Sequence, residues 1–432
     1  MFKNRFVLKM AVLLSVVFPL ALNATWSTPV ALTSNPSDLP CVTVDFSGNA
    51  VAVWQGYDGF NYRTEASTLP FGGNWTSEVW ISDAGGDAQS PEVCVDKNGN
   101  AVAAWCRWSG VDSIVQASQL PFGGSWTTPV NVSGPGDNAG SCVLAMDFLG
   151  NVGNAVAVWH RFNGSNFVIQ GATLPSGGSW SSPADITPSG QDALDPQVAV
   201  DCNGNTTITC ARFDGTDFDV RSASQLYSQP WGPNYNLSSV GETVNLPSVN
   251  VDGSGNAMVA WSESNGTNFE IRTSLLSPGG NWSSSLMISS SGVNSYAPLV
   301  VMEPAGDAVV VWVAFDGANY VLQGSSLVSG IWSAPSTITT SGFDVGYFNL
   351  CIDLSGNATV IWDSTDGTLS TVQSAKLPFG ATWTTPVVVS TSGAQAYHPD
   401  VAVDGSGNVV GVWLELNGGN YVLTAASRPF SG

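Results

Sequence analysis

The chain has 432 residues and a formal net charge of −21, with 33 acidic side chains against 12 basic ones and two histidines. An excess of negative charge of this size disfavours nucleic acid and anionic membranes as partners. Two histidines leave little material for a histidine-based catalytic triad or for a metal site built from several histidines.

The first 24 residues have the order of a secretory signal peptide. Lys3, Arg5 and Lys9 form a basic segment, and a mostly apolar stretch follows from Met10 to Leu22. Such a stretch is too short to cross a bilayer and is typical of an export signal. We therefore expect a signal peptide over residues 1–24. The mature protein should be secreted (periplasmic, extracellular or at the cell surface), with no insertion into a membrane.

Residues 25–432 repeat with a period of about 51 residues and are expected to form one domain. An apolar run ends at the same repeat position eight times, at Trp54, Trp105, Trp159, Cys210, Trp261, Trp312, Trp362 and Trp413. A second ladder with similar spacing comprises Trp26, Trp75, Trp126, Trp180, Trp231, Trp282, Trp332 and Trp383. Because a fixed period indicates one structural unit per repeat, we expect both ladders to pack between neighbouring units.

Each repeat predicts four short strands, named A to D. Strand A leads through a Gly-Asn turn to strand B, an Asp-Gly or Asn-Gly hairpin leads to strand C, and a Pro-Phe-Gly-Gly type loop leads to strand D. Runs of β-branched and aromatic residues between such turns are typical of antiparallel sheet. The period therefore predicts an all-β fold, an eight-bladed β-propeller of four-stranded blades. Its N-terminal outer strand should complete the last blade.

The turn between strands A and B reads V-D-x-x-G-N-A or close to it, with an acidic residue at one fixed position. These residues are Asp45, Asp96, Asp147, Asp201, Asp252, Glu303, Asp353 and Asp404. A short carboxylate can accept hydrogen bonds from backbone N–H groups two or three residues further on, so we interpret these positions as structural turns. Ca²⁺ is the alternative, but it takes six to eight oxygen ligands, and one carboxylate per turn falls short of that set. We therefore expect no cofactor.

On these turns the chain resembles secreted bacterial β-propeller repeat proteins. The turn is similar to that of NHL-type repeats and, more loosely, to the Asp-box of sialidase-like and lectin-type propellers. The resemblance covers the mature chain at the level of the repeat. It implies a propeller scaffold of the kind that binds or processes glycans.

Differences between repeats indicate where function lies, because ligands bind loops that a rigid scaffold holds. The D–A and B–C loops share one face of a propeller whose strand A is innermost, and we call it the top face. On this face three consecutive repeats carry an arginine followed by an aromatic residue, and several D–A loops carry an aspartate. The candidate binding residues are Arg107, Trp108, Arg161, Phe162, Arg212, Phe213, Asp87, Asp137, Asp192 and Asp344.

Such a rim can hydrogen-bond sugar hydroxyls, clamp a carboxylate and stack on a ring. Alternatively, the arginines pair with the loop aspartates as a structural belt. His398, in the segment A-Y-H-P, is expected to be polar surface in a top-face loop.

The sequence favours an exported, non-enzymatic protein that recognises a glycan or a protein surface through its loop face. One alternative is a sialidase-like or other glycan-active hydrolase or lyase on the same scaffold, although no repeat sets an extra catalytic loop apart. Another is a structural protein of the envelope or surface. The oligomeric state stays open.

Overall fold

A computed structural model describes residues 25–147, 153–239, 241–340 and 342–430. The predicted signal peptide lies outside the described residues. Within those ranges every regular element is a β-strand, and the strands form eight antiparallel sheets arranged as the predicted eight-bladed propeller. No helix in the described residues is long and apolar enough to cross a membrane.

The three inner strands of each blade contain seven to nine residues. The A strands are Ser37–Val44, Ala88–Val95, Gly140–Met146, Ala193–Val200, Val244–Val251, Ser295–Met302, Asp344–Ile352 and Ala396–Val403, which start blades 1 to 8 in that order. The B strands are Ala50–Tyr57, Ala101–Trp108, Ala155–Phe162, Thr206–Phe213, Ala257–Ser264, Ala308–Phe315, Ala358–Thr365 and Val409–Asn417. The C strands are Tyr62–Leu69, Ser113–Leu120, Phe167–Leu174, Phe218–Gln225, Phe269–Leu276, Tyr320–Val328, Ser370–Leu377 and Asn420–Arg428.

The outer D strands are only two residues long. They are Val79–Trp80, Val130–Asn131, Ala184–Asp185, Tyr235–Asn236, Leu286–Met287, Ser336–Thr337 and Val387–Val388, while blade 8 takes Val30–Ala31. Blade 6 has one further short strand, Ile331–Trp332, which pairs with the end of its C strand. Short edge strands limit the row of unpaired backbone groups that each blade offers to another chain.

The N-terminal strand closes the ring as predicted. Val30 and Ala31 pair with Ala425 and Thr424 in the last C strand, so blade 8 contains both ends of the described chain. The side chain of Leu32 is buried in an apolar cluster that joins blade 8 to blade 1.

The core lies between blades. The seven tryptophans of the first ladder are fully buried, and each packs with small and branched residues of an adjacent sheet. The second ladder is half-buried and covers the outer side of these clusters. Both ladders are therefore core, as expected for equal spacing within packed strands.

The A strands surround a central channel. Toward the bottom face, where the A–B turns lie, inner-strand residues of seven blades enclose a cavity of about 410 Å³. The A strands begin at the opposite end of the channel, on the top face.

Candidate functional site

The acidic residues of the A–B turns bind backbone and side chains of their own turn. Asp252 Oδ1 accepts hydrogen bonds from the N–H groups of Ser254 and Asn256, both at 2.8 Å, and Asp252 Oδ2 accepts one from Asn256 Nδ2. The same pattern recurs at Asp45, Asp96, Asp201, Asp353 and Asp404. The two backbone donors lie two and four residues after the aspartate. The first distance agrees with the expectation of two or three residues, and the second is one residue longer. Each carboxylate thus faces N–H donors, which is the environment of an anion and unlike that of a bound cation.

The turns also interlock around the ring. Gly48 has a φ of 87°, and a Cβ at this residue would lie 3.0 Å from Asp404 Oδ2 of blade 8 and 2.5 Å from the Phe71 ring. Gly99 has the same relation to Asp45 and Phe122. Glycine is needed here both for its positive φ and because neighbouring blades approach so closely. These turns therefore build the scaffold.

On the top face, the D–A loop aspartates fasten the preceding blade. Asp87 Oδ1 accepts a hydrogen bond from Tyr62 N at 2.9 Å, and Asp192 and Asp344 make the same contact with Phe167 N and Tyr320 N. For Asp87 and Asp192 the bond ties the first residue of a C strand to the loop that leads into the next blade, whereas Asp344 is itself the first residue of the next A strand and not in a loop as expected.

Asp137 differs from the other three predicted loop aspartates. Its Oδ2 atom accepts a hydrogen bond from Gly134 N at 2.8 Å, and its Oδ1 atom lies 3.6 Å from Arg161 Nη1. Burial raises the pKa of Asp137, against the opposing effects of the Gly134 N–H and Arg161.

Arg107 and Arg212 bind the D–A loop that leads into their own blade, whereas Arg161 binds chiefly the outer D strand of its own blade. Arg161 donates from Nε and Nη2 to the two oxygens of Asp185, at 3.0 and 2.9 Å. Arg107 donates to the carbonyl oxygens of Asp83 and Ala84, and Arg212 donates to that of Pro188 at 3.4 Å. The guanidinium groups hold neighbouring segments in place: Arg161 pairs with aspartates, as in the belt alternative, but Arg107 and Arg212 bind backbone carbonyl oxygens and not the loop aspartates.

Two other blades show that this repeat position is a clamp. In blade 5 it is Glu263, which accepts hydrogen bonds from Trp261 Nε1 at 2.8 Å and from Ser239 N in the D–A loop. In blade 8 Glu415 accepts bonds from Trp413 Nε1 and Thr391 N in the same way. Arginine and glutamate thus perform the same task with opposite charge, because the loop backbone offers both carbonyl oxygens and N–H groups.

The aromatic residues beside the arginines close the B–C hairpins. Phe162 and Phe213 pair with Phe167 and Phe218 across the hairpin, with ring centroids 5.4 and 5.5 Å apart. Trp108 is 49% exposed and is the most accessible aromatic residue of the predicted rim. The structure therefore places the rim residues on one face, but distributes them over blades 2 to 4 without bringing their side chains to one point.

A different set of residues converges at the top of the central channel. Every A strand has a β-bulge near its start, at one fixed position in seven blades and one residue earlier in blade 7, and the first bulged residue has a φ between 45° and 52° in those seven blades. We call the eight residues at this position the mouth ring: Leu39, Ser90, Ser141, Asp195, Leu246, Ala297, Tyr347 and His398. Non-glycine residues rarely adopt this conformation, and bulges that re-aim a side chain are common beside functional sites.

Blades 7, 8 and 1 bring four polar groups of this region into contact. His398 Nδ1 lies 3.2 Å from Asp38 Oδ1, and the His398 ring meets the Tyr347 ring edge-on with centroids 4.1 Å apart. Asp363 accepts hydrogen bonds from the N–H groups of Tyr347 and His398, at 2.6 and 3.2 Å. Tyr347 is 61% exposed, so its ring is available to a ligand.

The charges of this sector differ in their surroundings. The hydrogen bond to His398 lowers the pKa of Asp38, whereas burial raises the pKa of Asp363. Further down the inner strands, burial raises the pKa of Glu92 to about 7 and that of Asp400 to about 6. The eight A strands contain no lysine or arginine. The mouth of the channel is therefore an acidic and aromatic surface.

Sequence reasoning missed this sector. His398 lies within the strand Ala396–Val403, not in a loop as expected. The sequence does contain a pattern that marks this position. A proline follows six of the seven residues with positive φ, and the residue before the proline varies between repeats. A residue before proline normally favours an extended conformation, so the pattern gave no reason to expect the bulge.

No family model and no curated protein matches the chain. Among solved structures, a PL25 ulvan lyase bound to -[GlcA(1-4)Rha3S]- is similar with a TM-score of 0.51 and 10% identity, covering 92% of this chain and 95% of that one. The polysaccharide lyase Uly1 has a TM-score of 0.51 and 11% identity, covering 94% and 100%. A leech intramolecular trans-sialidase has a TM-score of 0.43 and 8% identity, covering 94% of each chain.

These identities show a shared fold and nothing more specific. The NHL-type and Asp-box resemblances are supported only as far as the propeller itself. The chain is therefore an eight-bladed β-propeller, and two polysaccharide lyases share its fold at low sequence identity.

Proposed function

We propose that the protein is an exported binding protein that recognises an uncharged glycan at the mouth of its central channel. The observation that carries the proposal is the sector formed by Tyr347, His398 and Asp38. A partly exposed aromatic ring beside a carboxylate and an imidazole is a typical set of groups for stacking on a sugar and hydrogen-bonding its hydroxyls.

The charges of the residues around the mouth limit the class of glycan that can bind there. The mouth has acidic residues, among them Asp38 and Asp195, and the eight A strands offer no basic side chain other than His398. A polyanionic glycan would meet repulsion here, because like charges brought together in a concave site cost free energy. Neutral sugars meet no such cost. The similar fold of a lyase bound to -[GlcA(1-4)Rha3S]- supports a saccharide as the ligand class, while the preference for a neutral one is argued from the charges of this chain alone.

Cleavage of the bound glycan is a second candidate, favoured by the contact between His398 and Asp38. An imidazole oriented by a carboxylate is suited to accept or donate a proton at a bound sugar. Binding without cleavage remains the primary proposal. The other carboxylate of this sector, Asp363, accepts hydrogen bonds from backbone N–H groups at both oxygens, so it supports the backbone and does not offer a second acid or base to a bound sugar.

A glycan array probed with the mature chain tests the proposal. We expect neutral oligosaccharides among the ligands and no preference for sulfated or uronate-containing ones. Binding restricted to anionic glycans, or to none, would overturn it. Each ligand found should then be incubated with the protein and analysed for new reducing ends or unsaturated products, whose appearance would establish the enzymatic alternative.

A further inference from the structure

The bottom face carries an arc of exposed phenylalanines. The C–D loops of blades 7, 8, 1 and 2, which are neighbours in the ring, place a phenylalanine at the same position: Phe379, Phe430, Phe71 and Phe122. These side chains are 52%, 42%, 65% and 64% exposed, and Phe46 in an adjacent A–B turn is 46% exposed. We call these five residues the Phe arc. Scattered single hydrophobic residues are normal on a surface, but five over four consecutive blades form a patch.

The rings of the Phe arc are fixed in position. Phe71 N donates a hydrogen bond to Asn49 Oδ1 at 2.9 Å, and its ring lies against Gly48 of the turn. Phe122, Phe379 and Phe430 make the same bond to the asparagines of their own turns. A surface that is already ordered loses little conformational entropy when a partner covers it.

No carboxylate is fully exposed on this part of the bottom face. In the A–B turns and the described C–D loops of these four blades, the carboxylates are Asp45, Asp96, Asp353 and Asp404 in the turns and Glu78 at the outer end of the blade 1 loop, next to its D strand. The four turn aspartates are buried and accept hydrogen bonds within the turns, and Glu78 is half-buried. Lys376 contributes a positive charge, with Nζ 5.0 Å from the centre of the Phe430 ring. By contrast, many of the loops on the top face contain aspartate residues.

We infer that the Phe arc is the interface through which two copies of this chain form a dimer. A second copy carries the same excess of negative charge, so the two can meet only where each of them lacks it. Roughly half of each ring is exposed, which gives on the order of 500 Å² of apolar surface from the five phenylalanines. With the surrounding loop atoms, this approaches the roughly 800 Å² per partner of a standard stable interface. A patch on one face also suits a two-fold arrangement, in which both copies use the same residues.

Sedimentation equilibrium of the full mature chain at micromolar concentrations tests this inference. We expect a dimer, and the double variant Phe71→Ser, Phe122→Ser should weaken the dissociation constant by at least about tenfold. Serine is compatible with the fold, because blade 3 has Ser176 at the equivalent position. The matched control is Phe60→Ser, which removes a phenylalanine that is 88% exposed in the B–C hairpin of blade 1 on the opposite face. It should leave the dimer unchanged.

A wild-type chain that stays monomeric throughout, or a dimer that the double variant does not weaken, would overturn the inference. The same chain should be mixed with phosphatidylcholine vesicles and separated by flotation. Flotation that depends on Phe71 and Phe122 would assign the Phe arc to a lipid surface and would likewise overturn a dimer interface. None of these results depends on glycan binding at the top face.

Discussion

At the scale of single residues, the same chemical group has different roles at the two ends of the channel. On the bottom face, carboxylates such as Asp252 accept N–H donors within a turn and stabilise the hairpin. At the mouth, Asp38 binds the imidazole of His398 and remains partly exposed. Between them, Glu92 and Asp400 lie where burial disfavours their charged forms. Environment decides whether a carboxylate is structural, available to a ligand or costly to ionise.

The raised pKa of Glu92 predicts a pH-dependent stability. Below its ordinary pKa of 4.5, Glu92 is neutral in both the folded and the unfolded chain, so it costs nothing. Between pH 4.5 and about 7, the unfolded chain ionises this group while the folded chain still holds its proton, so the free energy of unfolding falls over that range and stays low above it. We expect Glu92→Gln to stabilise the protein by on the order of 2 kcal/mol at pH 8 and to have little effect at pH 4.

Urea unfolding of the wild type and the variant at both pH values measures this difference. Glu242→Gln, on the loop that leads into blade 5, is the control and should change neither value. An equal effect of Glu92→Gln at pH 4 and pH 8 would show that the burial of Glu92 does not govern its ionisation.

At the scale of strands and loops, the repeat predicts the elements well and their contacts poorly. The blades could be predicted from local sequence. The signals were the alternation of small and large residues in strand B, the turn glycines and the tryptophan ladders. The partners of Arg107 and Arg212 depend on how each D–A loop exposes its carbonyl oxygens, and repeat spacing carries no information about that. The sequence did not predict the mouth ring for a related reason. The backbone conformation of His398 results from a bulge that depends on neighbouring residues in the fold.

The closing strand offers a test at this scale. Leu32 is 7% exposed and packs between blades 8 and 1, whereas Val30 is 54% exposed on the same strand. We expect Leu32→Ala to reduce the free energy of unfolding by about 2–4 kcal/mol, since it leaves a cavity in the core that closes the ring. Val30→Ala should cost less than about 1 kcal/mol. Thermal or urea unfolding that showed equal effects of the two variants would argue against closure by this strand.

At the scale of the whole molecule, the two faces of the disc divide the tasks. The top face is acidic, variable between repeats and strained where the A strands begin. Parts of the bottom face are regular, apolar and free of fully exposed carboxylates. A rigid ring of blades keeps these faces apart, so a ligand at the mouth and a partner on the Phe arc need not compete. The fold alone supports many functions, so the residues at the mouth, which vary between repeats, are where we expect the function of this chain to lie.

The central claim is that ligand binding takes place at the mouth and not at the arginine-aromatic rim. Isothermal titration of one neutral glycan ligand against Tyr347→Ser and Trp108→Ser tests it most directly, because each variant removes an exposed aromatic ring from one of the two candidate sites. Serine is the residue that blades 2 and 3 have at the position of Tyr347. With unchanged melting temperatures, we expect Tyr347→Ser to weaken binding by about tenfold or more and Trp108→Ser to leave it unchanged. The reverse result, with affinity lost at Trp108 and kept at Tyr347, would move the site to the rim and contradict the account.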